Sequence, residues 1–174
     1  MGIVPRQAPE WRVAQWFNAS PSLTLESLRG KVVVLEAFQM LCPGCVSHGL
    51  PQAKRVRETF PSDRVAVVGL HTVFEHHDAM RPEALRAFLH EYGIQFPVGI
   101  DQPGEHGPIP QTMQAYAMQG TPTLVLIDAA GRLRARHFGQ VGDLQLGAEI
   151  ATLLGEAASG ASACADGACP APVP

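Results

Sequence analysis

The period of the apolar positions changes along the chain, and the changes mark out its elements. Residues 31–38 (KVVVLEAF) form a nearly unbroken apolar run rich in β-branched side chains, with Glu36 as the one acid inside it. Such a run predicts a strand buried on both faces. Residues 64–70 (RVAVVGL) have the same character. They predict a second buried strand, parallel to the first if the helix between them is a crossover. In that helix Val46, Leu50, Ala53 and Val56 recur at helical spacing. Pro43 suits the first helical position, where a missing N–H costs nothing. Pro51 falls inside the helix and predicts a kink.

Residues 81–92 place Leu85, Phe88 and Leu89 on one helical face and stop at Gly93. A short strand over 96–100, a Pro- and Gly-rich loop and a short helix near 111–118 follow. Residues 123–127 and 133–138 predict a strand hairpin closed by the turn from Asp128 to Gly131. A helix over 144–154 ends the series. Residues 1–22, broken by Pro5, Pro9 and Pro21, read as an irregular lead-in pinned by Trp11, Trp16 and Phe17. Residues 23–25 read as a short strand. In the last segment, 15 of residues 155–174 are Ala, Gly, Ser or Pro, too little apolar bulk to fold alone, so it reads as a flexible tail. The order β-α-β-α-β-β-α over residues 23–154 predicts one α/β domain with a mixed central sheet and helices on both faces.

The 174 residues fit a single domain, and 46% hydrophobic content supplies a packed core. A net charge of -3 without a basic block argues against nucleic acid as a partner. No apolar run approaches the ~20 residues of a membrane span. The first residues lack a charged stretch followed by an apolar one, so a cytoplasmic location is expected, or a periplasmic one if an upstream signal has been removed.

Four cysteines carry most of the chemical information. Cys42 and Cys45 form CPGC, and Cys164 and Cys169 lie near the C-terminus. A CxxC at the mouth of a helix has a definite physics. Unpaired backbone N–H groups and the helix dipole favour an anion at Cys42, lowering its thiol pKa. Cys45, one turn on, is placed to attack a mixed disulfide at Cys42, so the pair can pass two electrons to a partner. The competing readings are two core cysteines or half of a zinc site, which would want two more ligands at comparable spacing.

Residues 31–45, KVVVLEAFQMLCPGC, resemble the active-site strand and turn of thioredoxin-fold proteins, especially the TlpA-like thiol–disulfide oxidoreductases. Residues 120–131, GTPTLVLIDAAG, resemble that group's cis-proline loop, strand and Asp-to-Gly turn. The resemblance spans roughly residues 20–155. It implies a thioredoxin-like fold with an insertion before the cis-proline loop, protein thiols and disulfides as partners, and no cofactor. It further implies that Cys42 is the nucleophile and Cys45 the resolving cysteine. Pro122 becomes the cis-proline that orients substrate, preceded by Thr121 at a redox-tuning position. Glu36, six residues before Cys42, falls at the family's buried acid, which takes and returns the proton of the second cysteine. The alternative for Glu36 is a variant position pointing to solvent at a sheet edge. Two departures stand out: Leu41 replaces the usual Trp before the first cysteine, and the usual helix proline stands one residue later, at Pro51.

Two other functions were compared. A peroxiredoxin-like antioxidant role would want Pro and Thr or Ser seven and three residues before the cysteine, where this chain has Leu35 and Gln39. A copper-binding or copper-delivery module could use the cysteines with His71, His76 and His77, which otherwise read as solvated loop residues. His48 is expected at the surface, and Met113 and Met118 in packing. Cys164 and Cys169 read as a candidate second redox pair that exchanges with CPGC, because ten extended residues span up to ~33–36 Å. Incidental thiols or an autonomous disulfide are the alternatives.

Overall fold

The structure is a computed structural model and describes residues 5–165. Seven strands form one sheet: β1 (Arg6–Gln7), β2 (Val13–Phe17), β3 (Val32–Phe38), β4 (Val65–His71), β5 (Val98–Asp101), β6 (Thr123–Ile127) and β7 (Arg132–Phe138). Their order is β1-β7-β6-β3-β4-β5-β2. β3 is central, parallel to β4 and antiparallel to β6. Four helices accompany the sheet: α1 (Leu50–Thr59), α2 (Pro82–Glu91), α3 (Gln111–Ala115) and α4 (Asp143–Ala165). α2, β5 and α3 lie between β4 and β6, ahead of the cis-proline loop.

Alternation along β3 divides the core. Val32, Val34 and Phe38 face one side, with Leu50, Ala53 and Val56 of α1, Leu85 and Leu89 of α2, and Leu146, Ile150 and Leu153 of α4. Val33, Leu35 and Ala37 face the other, against Trp11, Leu25, Met113 and Tyr116. Glu36 has the parity of Val34 and Phe38, so it points to the side of α1 and α4. α3 is held by Asp101 at the end of β5, whose carboxylate accepts from the Thr112 and Met113 N–H groups at 2.8 and 2.9 Å.

Four sequence readings need correction. The lead-in is not irregular: β1 pairs with β7 and β2 with β5, at opposite edges of the sheet. Edge strands tolerate flanking prolines because one row of their backbone groups needs no ladder partner. Tyr116 fastens the segment between them, its hydroxyl donating to the Pro9 carbonyl at 2.6 Å. Residues 23–25 are not a strand, because Thr24 and Ser27 exchange side-chain and backbone hydrogen bonds at 3.1 and 3.2 Å and close a turn instead.

The kink expected at Pro51 is a wide turn over Cys45–Gly49, in which the Leu50 N–H reaches the Cys45 carbonyl five residues back. Pro51 has no N–H for the Ser47 carbonyl, and the wide turn restarts the helix so that Pro51 lies in its first turn, where none is needed. Lastly, α4 continues to Ala165 rather than ending at 154. Alanine is the strongest helix former, and Glu156 is tied to Arg134 by a carboxylate–guanidinium pair with one contact of 2.9 Å. Cys169 lies outside the described residues.

His71 also departs from expectation. It is 1% exposed, packed 5.3 Å from the Phe38 ring, and neither ring nitrogen has a partner among the described residues. Burial lowers its pKa from 6.5 to about 4. Between those values only the unfolded chain holds the proton. The stability contributed by the neutral ring is therefore complete above pH 6.5 and is lost as pH falls towards 4. His71→Leu should remove roughly 3 kcal/mol of this acid sensitivity. Urea unfolding at several pH values in that window would show it as a flatter decline. An unchanged slope would mean that the ring protonates without unfolding.

Candidate active site

CPGC sits where the central strand ends and the first helix begins. Cys42 is the N-cap: its carbonyl accepts the Val46 N–H at 3.1 Å. Cys42 and Cys45 form a disulfide with a Cα–Cα separation of 5.2 Å. The two sulfurs are not equivalent. Cys42 is half-buried and open on one side, whereas Cys45 is 0% exposed. The Cys45 N–H points at Cys42 Sγ, 3.2 Å away, and would stabilise a thiolate there. Cys42 Sγ also lies 3.5 Å from the Thr121 carbonyl oxygen, which brings the second sequence motif against the first.

The Thr121–Pro122 bond is cis. Pro122 is packed so closely on the helix start that a Cβ on Gly44 would lie 3.3 Å from its Cδ, and a Cβ on Gly49 would lie 3.3 Å from its Cβ. The glycine of CPGC and the glycine of the wide turn thus let the cis-proline loop seat on the redox helix. On the partner side, Leu41 is 57% exposed beside Cys42, and Phe138 is 56% exposed next to the Gly120–Pro122 loop.

Glu36 is 1% exposed on the central strand, so the sheet-edge reading does not hold. Its carboxyl lies directly over Gly49, where even a methyl group would overlap it. Oε1 has no hydrogen-bond partner among the described residues. Burial pushes its pKa up to about 8, so the group is mostly protonated at neutral pH. A groove of about 440 Å³ runs from Glu36 and Pro122 past His48 and Gln52 to Asp143. Gln52 donates to the Val141 carbonyl at 2.8 Å and to Asp143 at 2.7 Å, holding the loop that forms the far wall.

The structure therefore brings together Cys42, Cys45, Glu36, Thr121 and Pro122. It does not bring the other candidates there. His76 and His77 are exposed in the loop after β4, and the described residues contain no group of three or more side chains able to hold a metal ion. Leu35 is buried and Gln39 is occupied by the Phe74 N–H at 3.4 Å, so neither offers a hydroxyl to a peroxide.

Cys164 lies on α4, which starts at the groove with Asp143. By Leu154 the helix has already reached the opposite end of the sheet, where Arg64 donates to its carbonyl at 3.2 Å. Some 21 further residues from Asp143 to Cys164 correspond to roughly 31 Å of helix axis. Sequence reading missed Gly49, Gln52 and the groove. The displaced proline was the signal for the wide turn that builds them.

A family model described as the AhpC/TSA family matches residues 4–136. The chain belongs to the AhpC/TSA family. Among solved structures it is similar to a thioredoxin-like superfamily protein, with 68% identity, a TM-score of 0.84, and coverage of 86% of this chain and 96% of that one. It is also similar to a thiol-disulfide isomerase from Corynebacterium glutamicum, at 52% identity and a TM-score of 0.80, covering 84% of this chain and 96% of that one. A thiol:disulfide interchange protein DsbE of Allochromatium vinosum is 29% identical over 84% of this chain and 72% of that protein. This AhpC/TSA protein is thus a thioredoxin-like thiol–disulfide oxidoreductase, in keeping with its TlpA-like motifs. No helix among its described residues is long and apolar enough to cross a membrane.

The raised pKa of Glu36 has a measurable consequence in this AhpC/TSA protein. Between pH 4.5 and about 8 the folded state holds a proton that the unfolded state has lost. Its contribution to stability therefore falls as pH rises through that window and is level above it. Glu36→Gln removes the titration. The oxidised variant should gain on the order of a few kcal/mol relative to wild type between pH 5 and pH 8, read from paired denaturation midpoints. A constant difference across that range would place Glu36 in contact with water.

Proposed function

We propose that this chain is a protein disulfide reductase in which Cys42 attacks, Cys45 resolves and Glu36 handles the proton of Cys45. The observation that carries the reading is the burial pattern: an accessible sulfur at a helix cap, a buried sulfur one turn behind it, and a buried carboxyl against Gly49 of the same helix. The dithiol form starts the cycle. The Cys42 thiolate attacks one sulfur of a substrate disulfide, and the other substrate sulfur leaves and takes a proton. Glu36, once it has lost its own proton, takes that of Cys45 as the carboxylate, and the Cys45 thiolate attacks Cys42 Sγ. The Cys42–Cys45 bond forms as the Cys42–substrate bond breaks, so two electrons pass to the substrate.

Pro122 and Thr121 orient the substrate chain on the cis-proline loop. Exposed Leu41 and Phe138 on either side of Cys42 suit a protein partner, which buries apolar surface around the attacked disulfide. A relay through Cys164 and Cys169 is the weaker reading, because α4 carries Cys164 to the far end of the sheet.

Cys42→Ser should abolish reduction of an insulin-type disulfide. Cys45→Ser should accumulate mixed disulfides at Cys42, since attack proceeds and resolution does not. Iodoacetamide should label Cys42 of the reduced protein before Cys45, as mapped by peptide mass. The reduction potential of the pair should lie nearer ~-270 mV than ~-120 mV. Preferential labelling of Cys45 would overturn the assignment of roles, and a potential near the oxidising value would overturn the reductase direction.

A further inference from the structure

We propose that His48 is the proton relay between Glu36 and solvent during resolution of the mixed disulfide, an inference that rests on the role given to Glu36 above. His48 acts through Glu36 and does not touch the reacting sulfurs.

Glu36 mostly holds a proton at neutral pH and must lose it before its carboxylate can take the one from Cys45. Strands β6 and β4 flank it on the sheet, and the groove shared with His48 is its opening on the helix side. Gly49, the residue after His48, has no side chain, and the Glu36 carboxyl lies against it. The other ionisable groups of the groove are Arg55, further along α1, and Asp143 at the start of α4; Pro122, Leu124 and residues 139–142 contribute none. The Arg55 guanidinium has donors only and accepts nothing. Asp143 is held in its ionised form by hydrogen bonds from Gln52 and Arg55, which lower its pKa and make it a poor base. A neutral imidazole has one ring nitrogen that accepts a proton and one that donates.

The hydrogen bonds of the ring also assign its tautomer. Ser47 Oγ donates its one proton to the Pro43 carbonyl at 2.8 Å. The same oxygen lies 2.7 Å from His48 Nδ1, so in the neutral ring Nδ1 must be the donor of that second bond. The proton is thereby assigned to Nδ1, and the lone pair to Nε2. The sequence of transfers balances: protonated Glu36 to His48 Nε2, the imidazolium to water, and Cys45 S–H to the Glu36 carboxylate so formed. The wide turn is what makes this geometry available, because an added residue between Cys45 and Pro51 rotates His48 and Gly49 relative to Cys45.

The test follows the reduced full-length protein mixed with dithiobis-nitrobenzoate, which releases one coloured thiolate on attack by Cys42 and a second on resolution by Cys45. In dilute buffer at pH 7, His48→Gln should leave the first phase unchanged. It should slow the second by about tenfold, less than the ~10²-fold or more of a direct general base. Tens of millimolar free imidazole should restore the rate through the open groove, which a structural defect would not allow. In a Glu36→Gln background the added His48→Gln change should have no further effect. A wild-type second phase in His48→Gln, or a slow one that imidazole does not rescue, overturns the relay while leaving Glu36 in place. A wild-type second phase in Glu36→Gln overturns the reading of Glu36 itself, and the relay with it.

Discussion

The close approach of the redox helix to the central strand is the constraint on which the site depends. Glu36 sits on β3 with its carboxyl against Gly49, and Pro122 closes on both Gly44 and Gly49. Three separate segments of chain meet there at van der Waals distance, and they can do so only because two helix positions lack a Cβ. A larger residue at Gly49 would displace the carboxyl or the cis-proline loop. Either displacement would alter the surroundings of both sulfurs.

The same packing separates the duties of the two cysteines. The N-cap position leaves Cys42 reachable and supplies it with a backbone N–H, while one turn of helix takes Cys45 into the core. A thiol as deeply placed as Cys45 ionises poorly without a nearby proton acceptor. Glu36 is poor as a permanent anion in that setting for the same reason, since burial favours its neutral form. Two groups that both resist charge can exchange a proton between them with little change in the total buried charge. Gln52 holds the far wall of the groove in register with the helix, so that helix, cis-proline loop and the start of α4 behave as one unit around this pair.

Much of this was legible in the sequence. The apolar runs at residues 32–38 and 65–71, CPGC at a strand-to-helix junction, and the Thr121–Pro122 loop before a third strand predicted the fold and the facing of the two motifs. These are local signals: side-chain period, a proline at a helix start, turn residues at fixed offsets. The readings that failed depended on partners distant in sequence. β1 and β2 have no pattern of their own and become strands because β7 and β5 offer them free edges. His71 looked like a loop histidine because it ends an apolar run, yet the meeting of β4 with Phe38 buries it. Residues 155–174 read as flexible by composition, but up to Ala165 they continue α4, which Arg134 and Arg64 secure from the sheet.

For the chemistry, the sequence by itself determined the redox pair and its place at the helix mouth, since both follow from residues within a few positions of one another. The resemblance to thioredoxin-fold proteins named Glu36, six residues before Cys42, as the acid. Tertiary structure decided what Glu36 is. Only the assembled sheet makes β3 central, removes the carboxyl from water, and lays Gly49 and the groove of His48 over it. A carboxyl's protonation depends on its solvation, and solvation is set by which distant segments cover it, a quantity that no local pattern of residues contains.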